Sequence, residues 1–173
     1  MKKSIIAVVS LWSILLLVGC DSEKKSNNEV QDIRKMVQEY SASSNEGVSA
    51  SITSNNLIVK DENDKERTYD ISKEEFFVSI APYLDETHPC EIHSLTGCQG
   101  EMDNTDFEVL IQDEEGKVIV DETMTSLDNG FIDIWLPRNQ TYQVKINYGE
   151  KATESKISTF EGDNTCITTM QLI

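Results

Sequence analysis

From Asp106 to the C-terminus the chain is written largely in period two, and this constrains its fold more than any other feature. "TYQVKINYG" sets Tyr142, Val144, Ile146 and Tyr148 on one side of an extended backbone, because successive side chains of a strand point to opposite faces. "FEVLIQD" and "KVIVDET" flank the turn "EEG" and predict a hairpin, and "GFIDIWLP" follows the turn "LDNG". "KISTFE" and "CITTMQLI" bring the total to about six strands at regular spacing, the pattern of a small antiparallel sandwich. In the last of these, Cys166, Thr168 and Met170 share one face.

The first half reads differently. "EVQDIRKMVQEY", Glu29 to Tyr40, places Val30, Ile33, Val37 and Tyr40 at helical spacing and predicts a short amphipathic helix, broken by "SASSNEG". "VSASITSNNLIVKD" predicts two β segments around a turn at Asn55 and Asn56. "DENDKER" is a loop but not an EF-hand, since Glu66 stands where the sixth-position glycine is required and Ser72 at the twelfth. In "ISKEEFFVSIAPYL", Ile71 to Leu84, Ser72 and Glu75 have the spacing of a capping box, Phe76, Phe77 and Ile80 would face inward, and Pro82 would end a second helix. The fold class is therefore α+β: a small N-terminal helical and β region over 29–85, then an antiparallel sandwich-like β domain over 86–173.

The first nineteen residues form an export signal, with Lys2 and Lys3 ahead of the apolar run "SIIAVVSLWSILLLVG". The run is shorter than the ~20 residues of a spanning helix. It ends in "LVGC", which resembles a lipobox and makes Cys20 the acylated residue of a membrane-anchored form, followed by a polar tether over 20–28. Cleavage removes two lysines from a chain of formal net charge −16, giving −18. Such a surface repels nucleic acid and anionic headgroups, so contact with the membrane is left to the lipid.

Once Cys20 is set aside, three of the four cysteines remain: Cys90, Cys98 and Cys166. Disulfides persist outside the cytoplasm, yet an odd number of thiols cannot all pair within one chain. Two of them lie with both histidines in "THPCEIHSLTGCQGE", Thr87 to Glu101, within the eleven positions from His88 to Cys98. The eight-residue step from Cys90 to Cys98 is not the C-x2-C spacing of zinc ribbons. Three soft thiolates without an obvious fourth partner suit monovalent copper, which accepts sulfur and low coordination. With His93 or His88 the set becomes a Cys3His site that zinc would also take. Met102 and Met170 are thioether candidates that core packing explains as well.

Other readings of the same residues stay open. Cys90 and Cys98 could form a stapling disulfide with Cys166 buried and inert, which would make the chain a lipoprotein interaction module held by one disulfide or one zinc. Cys90 and His93 could form a thiolate–imidazole pair for nucleophilic catalysis, although no third orienting group is evident. No catalytic residue is assigned. No phosphate-binding glycine loop occurs, and "NQT" at Asn139 is simplest as a turn between strands.

"THPCEIHSLTGCQGE" followed much later by "TCITTMQL" resembles the CueP family of periplasmic copper-binding proteins. The resemblance runs from the first helix to the C-terminus and is strongest over Thr87 to Glu101 and Thr165 to Leu172. It implies that Cys90, Cys98 and Cys166 are copper-binding thiolates. It also implies a two-domain chain, able to dimerise through its N-terminal part, with the metal site in the β domain. Roles implied by the family are copper tolerance, copper supply to an extracytoplasmic superoxide dismutase, and thiol-linked copper reduction reset by a thiol–disulfide reductase. The lipobox departs from the periplasmic pattern and points to a lipid-tethered form.

Overall fold

The computed structural model describes residues 22–42 and 47–173; the signal segment and Cys20 lie outside them. A single helix, α1 (Ser22–Ala42), precedes eleven strands in the described residues. They are β1 (Ser49–Ile52), β2 (Asn56–Lys60), β3 (Glu66–Asp70), β4 (Phe76–Ile80), β5 (His93–Ser94), β6 (Asp106–Asp113), β7 (Val118–Thr125), β8 (Ile132–Leu136), β9 (Thr141–Tyr148), β10 (Lys151–Ser158) and β11 (Cys166–Ile167). Three sheets result, in the orders β3-β2-β1-β5, β10-β9-β6-β7 and β11-β4-β8. All their pairings are antiparallel except β11 with β4. The fold is thus mostly antiparallel β structure with one helix.

The alternation after Asp106 resolves as expected into the β6–β7 hairpin and the β9–β10 pair, with Tyr142, Val144 and Ile146 buried and Tyr148 partly exposed. The six-strand sandwich is corrected in two places. β8 leaves that sheet to pair with β4, and the last segment forms only a two-residue strand, parallel to β4. Sheets therefore draw strands from both sides of residue 85.

The helix expected over 71–84 is instead β4, whose five residues are all buried. An apolar run this short fits a buried strand as well as a helix, and pairing on both edges decides for the strand. The residues of the expected capping box are used elsewhere. The Ser72 amide donates to Asp70 Oδ1 at 2.8 Å, and Glu75 pairs with Arg34 of α1 at 2.8 Å. The β1–β2 turn falls one residue early, with the Thr53 amide donating to the Asn56 carbonyl at 2.9 Å. α1 starts at Ser22, so the expected tether over 20–28 is helical from there; Glu23, Lys24 and Lys25 are good helix formers. β3 lies partly in the stretch expected to be a loop.

β4 is the middle of the molecule, and its two faces define two cores. Phe76, Val78 and Ile80 join Ile132, Ile134 and Leu136 against Phe107, Val109, Ile111, Tyr142, Val144 and Ile146 of the large sheet. Phe77 faces the other way, into Ile33 and Val37 of α1 and Ile52, Leu57, Ile71 and Leu95. On that same face, register aligns Cys166, Ser79 and Asp133 in a row across β11, β4 and β8. Ala81, Phe131 and Cys166 form a third, small cluster against Cys90 and Cys98. The cysteines thus lie where the central sheet meets the loop that follows β4.

Candidate metal centre

The loop between β4 and β6 holds Cys90, His93 and Cys98, and backbone bonds draw it onto β11. The amides of Thr165 and Cys166 both donate to the Glu91 carbonyl, at 3.0 and 3.2 Å. The His93 amide donates to Thr165 Oγ1 at 3.0 Å, and that hydroxyl donates to the Ile52 carbonyl at 2.6 Å. Thr165 therefore ties β5, β1 and β11 at one buried point. A tight turn places Cys98, whose amide donates to the Ser94 carbonyl at 3.0 Å while the Ser94 amide donates to Cys98 Sγ at 3.4 Å.

One ligand atom from each of Cys90, His93, Cys98 and Cys166 lies within 4.8 Å of every other. Cys90 and Cys166 are joined by a disulfide spanning 76 residues, with Cα atoms 5.5 Å apart, and Cys98 is a free thiol. Cys98 Sγ stands 3.5 Å from Cys90 Sγ. The stapling pair weighed from the sequence, Cys90 with Cys98, is thus replaced by Cys90 with Cys166, which the parallel strand and the Glu91 bonds hold together. Burial pushes the Cys98 thiol up, partly offset by the Ser94 amide.

His93 is fully buried, and neither Nδ1 nor Nε2 has a hydrogen-bond partner among the described residues. Its ring packs 4.5 Å from that of Phe131 and 6.2 Å from that of Phe77, centroid to centroid. Burial, then the charge of His88, lowers its pKa to about 4. The ring is neutral at physiological pH, with a lone pair available. Buried polar atoms without partners are costly and rare, and a metal ion bound among the sulfurs would satisfy one of these nitrogens.

Two contacts hold the loop from outside. The Glu101 carboxylate accepts the amides of Leu84, Asp85 and Glu86, at 2.6, 3.0 and 3.4 Å. Burial pushes its pKa up, but these three amides outweigh that and hold it below the usual carboxylate range. Gly100 lies directly on Gly130, its amide donating to the Asn129 carbonyl at 2.7 Å, and a Cβ on either glycine would meet the other's backbone at 2.7 Å.

Comparison with known proteins agrees with this geometry. A family model described as periplasmic copper-binding protein CueP matches residues 30–171. The chain belongs to the CueP family. A crystal structure of S.CueP shares its fold with a TM-score of 0.77 at 34% identity, covering 91% of this chain and 99% of the other. No curated protein matches the chain.

Within this CueP-family fold the four grouped residues are the three cysteines singled out in the sequence and His93. His88 is outside the group; its ring lies 6.4 Å from that of Phe131. Met102 and Met170 are packed in the main apolar core. Sequence reasoning missed Phe131, Thr165 and Glu101. Alternation in "GFIDIW" does put Phe131 and Asp133 on one face, but nothing local says that this face meets the cysteine loop.

Proposed function

We propose that this protein is an extracytoplasmic copper(I)-binding protein, anchored by lipid at Cys20, that holds copper through Cys90, Cys98 and Cys166 with His93 as a fourth donor. The observation that carries the reading is the His93 ring, neutral and without a hydrogen-bond partner, grouped with three sulfurs. Soft sulfur donors select copper(I), and one imidazole fits the same ion; zinc is the expected substitute. Thiolates are the ligands, so binding releases protons and weakens in acid. The Cys90–Cys166 disulfide removes two ligands at once, so the reduced protein binds and the oxidised protein releases. Delivery to an extracytoplasmic superoxide dismutase, and a contribution to copper tolerance, are the roles this chemistry would serve. The test is an anaerobic titration of reduced and oxidised protein with copper(I) against a chromogenic chelator. Tight binding of one equivalent by the reduced form alone supports the reading, and equal binding by both forms refutes it.

A second reading is favoured by the free Cys98 thiol standing 3.5 Å from a sulfur of the disulfide. Two copper(II) ions would each take one electron as Cys90 and Cys166 lose two electrons and two protons and form their disulfide. A thiol–disulfide reductase would then restore the dithiol, with Cys98 positioned to exchange. Copper(I) appearing at two equivalents per disulfide formed marks this reaction. Its absence leaves the carrier reading alone.

A further inference from the structure

Glu101 touches no sulfur and no imidazole, yet its carboxylate joins the two ends of the loop that carries the ligands. The chain leaves β4 through Tyr83, whose amide donates to the Met170 carbonyl and whose carbonyl accepts the Leu172 amide, at 3.2 and 2.8 Å. It then gives three successive amides, those of Leu84, Asp85 and Glu86, to Glu101. Thr87 follows, its hydroxyl donating to the Thr168 carbonyl at 2.6 Å, two residues beyond Cys166. Only His88 and Pro89 separate that point from Cys90. On the return side Cys98 is followed by Gln99 and then by Gly100, which is seated on Gly130. Both arms of the loop are therefore short and fixed at their outer ends, and Glu101 is the side chain that joins them.

We propose that Glu101 is a positioning residue of the metal centre: by gripping the amides of Leu84, Asp85 and Glu86, its carboxylate sets Cys90 against Cys98 and presents both to Cys166. This rests on the three-cysteine reading above for its effect on copper, but not for its effect on the disulfide. Bonds from amides to an ionised carboxylate are the stronger kind, and three on one group define both the position and the direction of the strand they hold. Without them the Leu84–Pro89 arm keeps Thr87, the Gln171 side-chain amide on the Leu84 carbonyl at 2.9 Å, and its covalent ends. The effective concentration of one sulfur at another then falls, because an ordering cost is moved from folding into ligand assembly.

The test uses Glu101→Ala and the isosteric Glu101→Gln, with Glu114→Gln in the β6–β7 turn as a control for lost charge. Metal-free protein is equilibrated with reduced and oxidised dithiothreitol. The reductant's two thiols close into its cyclic disulfide while two electrons and two protons pass to Cys90 and Cys166. This equilibrium compares two folded forms, so a loss of global stability common to both does not move it. Expected is a shift of about tenfold toward the dithiol for Glu101→Ala, the size of one lost hydrogen bond to a charged group. Copper(I) affinity of the reduced protein should fall by a similar factor. Glu101→Gln should lie between Glu101→Ala and wild type, and Glu114→Gln should match wild type. If Glu101→Ala fails to fold, the intermediate shift of Glu101→Gln decides. A wild-type disulfide equilibrium in folded Glu101 variants overturns the proposal. If wild-type protein fails to bind copper(I) while the disulfide equilibrium still shifts, the copper reading fails and the positioning role stands.

Discussion

His93 carries the most chemistry of any single residue. Its pKa, pushed down to about 4 by burial and then by His88, lies below the value of about 6.5 it has when unfolded. The unfolded chain therefore binds the extra proton. The stability this group contributes is fully present above pH ~6.5 and is lost as pH falls toward ~4. For the oxidised, metal-free protein, His93→Phe should keep the packing against Phe131 and remove this sensitivity. Its stability in urea should then exceed wild type at pH 4 relative to pH 7 by about 3 kcal/mol. Identical pH slopes for the two proteins would mean that the ring is not held neutral by burial. In the reduced form the same substitution should weaken copper(I) binding about tenfold or more while the three thiols remain; unchanged affinity would remove His93 from the ligand set.

At the level of elements, the site depends on how loops are fastened to strands. Arg138, just after β8, donates to the carbonyls of Glu74, Ser54 and Ile71 at 2.6, 2.5 and 3.0 Å. It thereby joins the β1–β2 turn to the approach to β4. Arg138→Ala removes the donor to the partly buried Glu74 and Ser54 carbonyls, while the Ile71 carbonyl keeps the Glu74 amide at 3.0 Å, and should cost about 2–4 kcal/mol in urea unfolding with copper affinity unchanged. A cost below about 0.5 kcal/mol would show that water replaces the guanidinium there. Gly130 is different in kind. Its φ of 77° and the backbone of Gly100 at 2.7 Å exclude a side chain, so Gly130→Ala should destabilise the fold and also displace Cys98, lowering copper affinity. Normal affinity in this variant would separate the glycine contact from the site. The limits of sequence reading show at this scale. Period-two alternation in β6 and β9 is a local signal, because one face of that sheet is buried, and it was legible. β4 was not: Phe76 to Ile80 is buried on both faces, and its strand geometry comes from partners more than fifty residues away, at Asp133 and Cys166.

For the whole molecule, the Cys90–Cys166 bond links the loop after β4 to the last strand across 76 residues. In the chain-entropy picture a closed loop of this size stabilises the folded state by about 4 kcal/mol. Reduced metal-free protein should therefore unfold at a clearly lower urea midpoint than oxidised protein, and copper(I) should raise it again by mass action. Equal midpoints for the oxidised and reduced forms would mean that the bond adds nothing to the fold. The grouping of the cysteines with a histidine was legible because thiol parity and the crowding of His88 to Cys98 are properties of the sequence itself. Which sulfur bonds to which was not, since it depends on a parallel pairing of β11 with β4 that two residues of strand cannot announce. The most direct measurement is an anaerobic copper(I) titration of the reduced, lipid-free protein beside Cys90→Ser, Cys98→Ser and Cys166→Ser. One tightly bound equivalent in wild type, lost in each of the three variants, is the expected result. Full binding that survives removal of Cys166 would contradict the converging site.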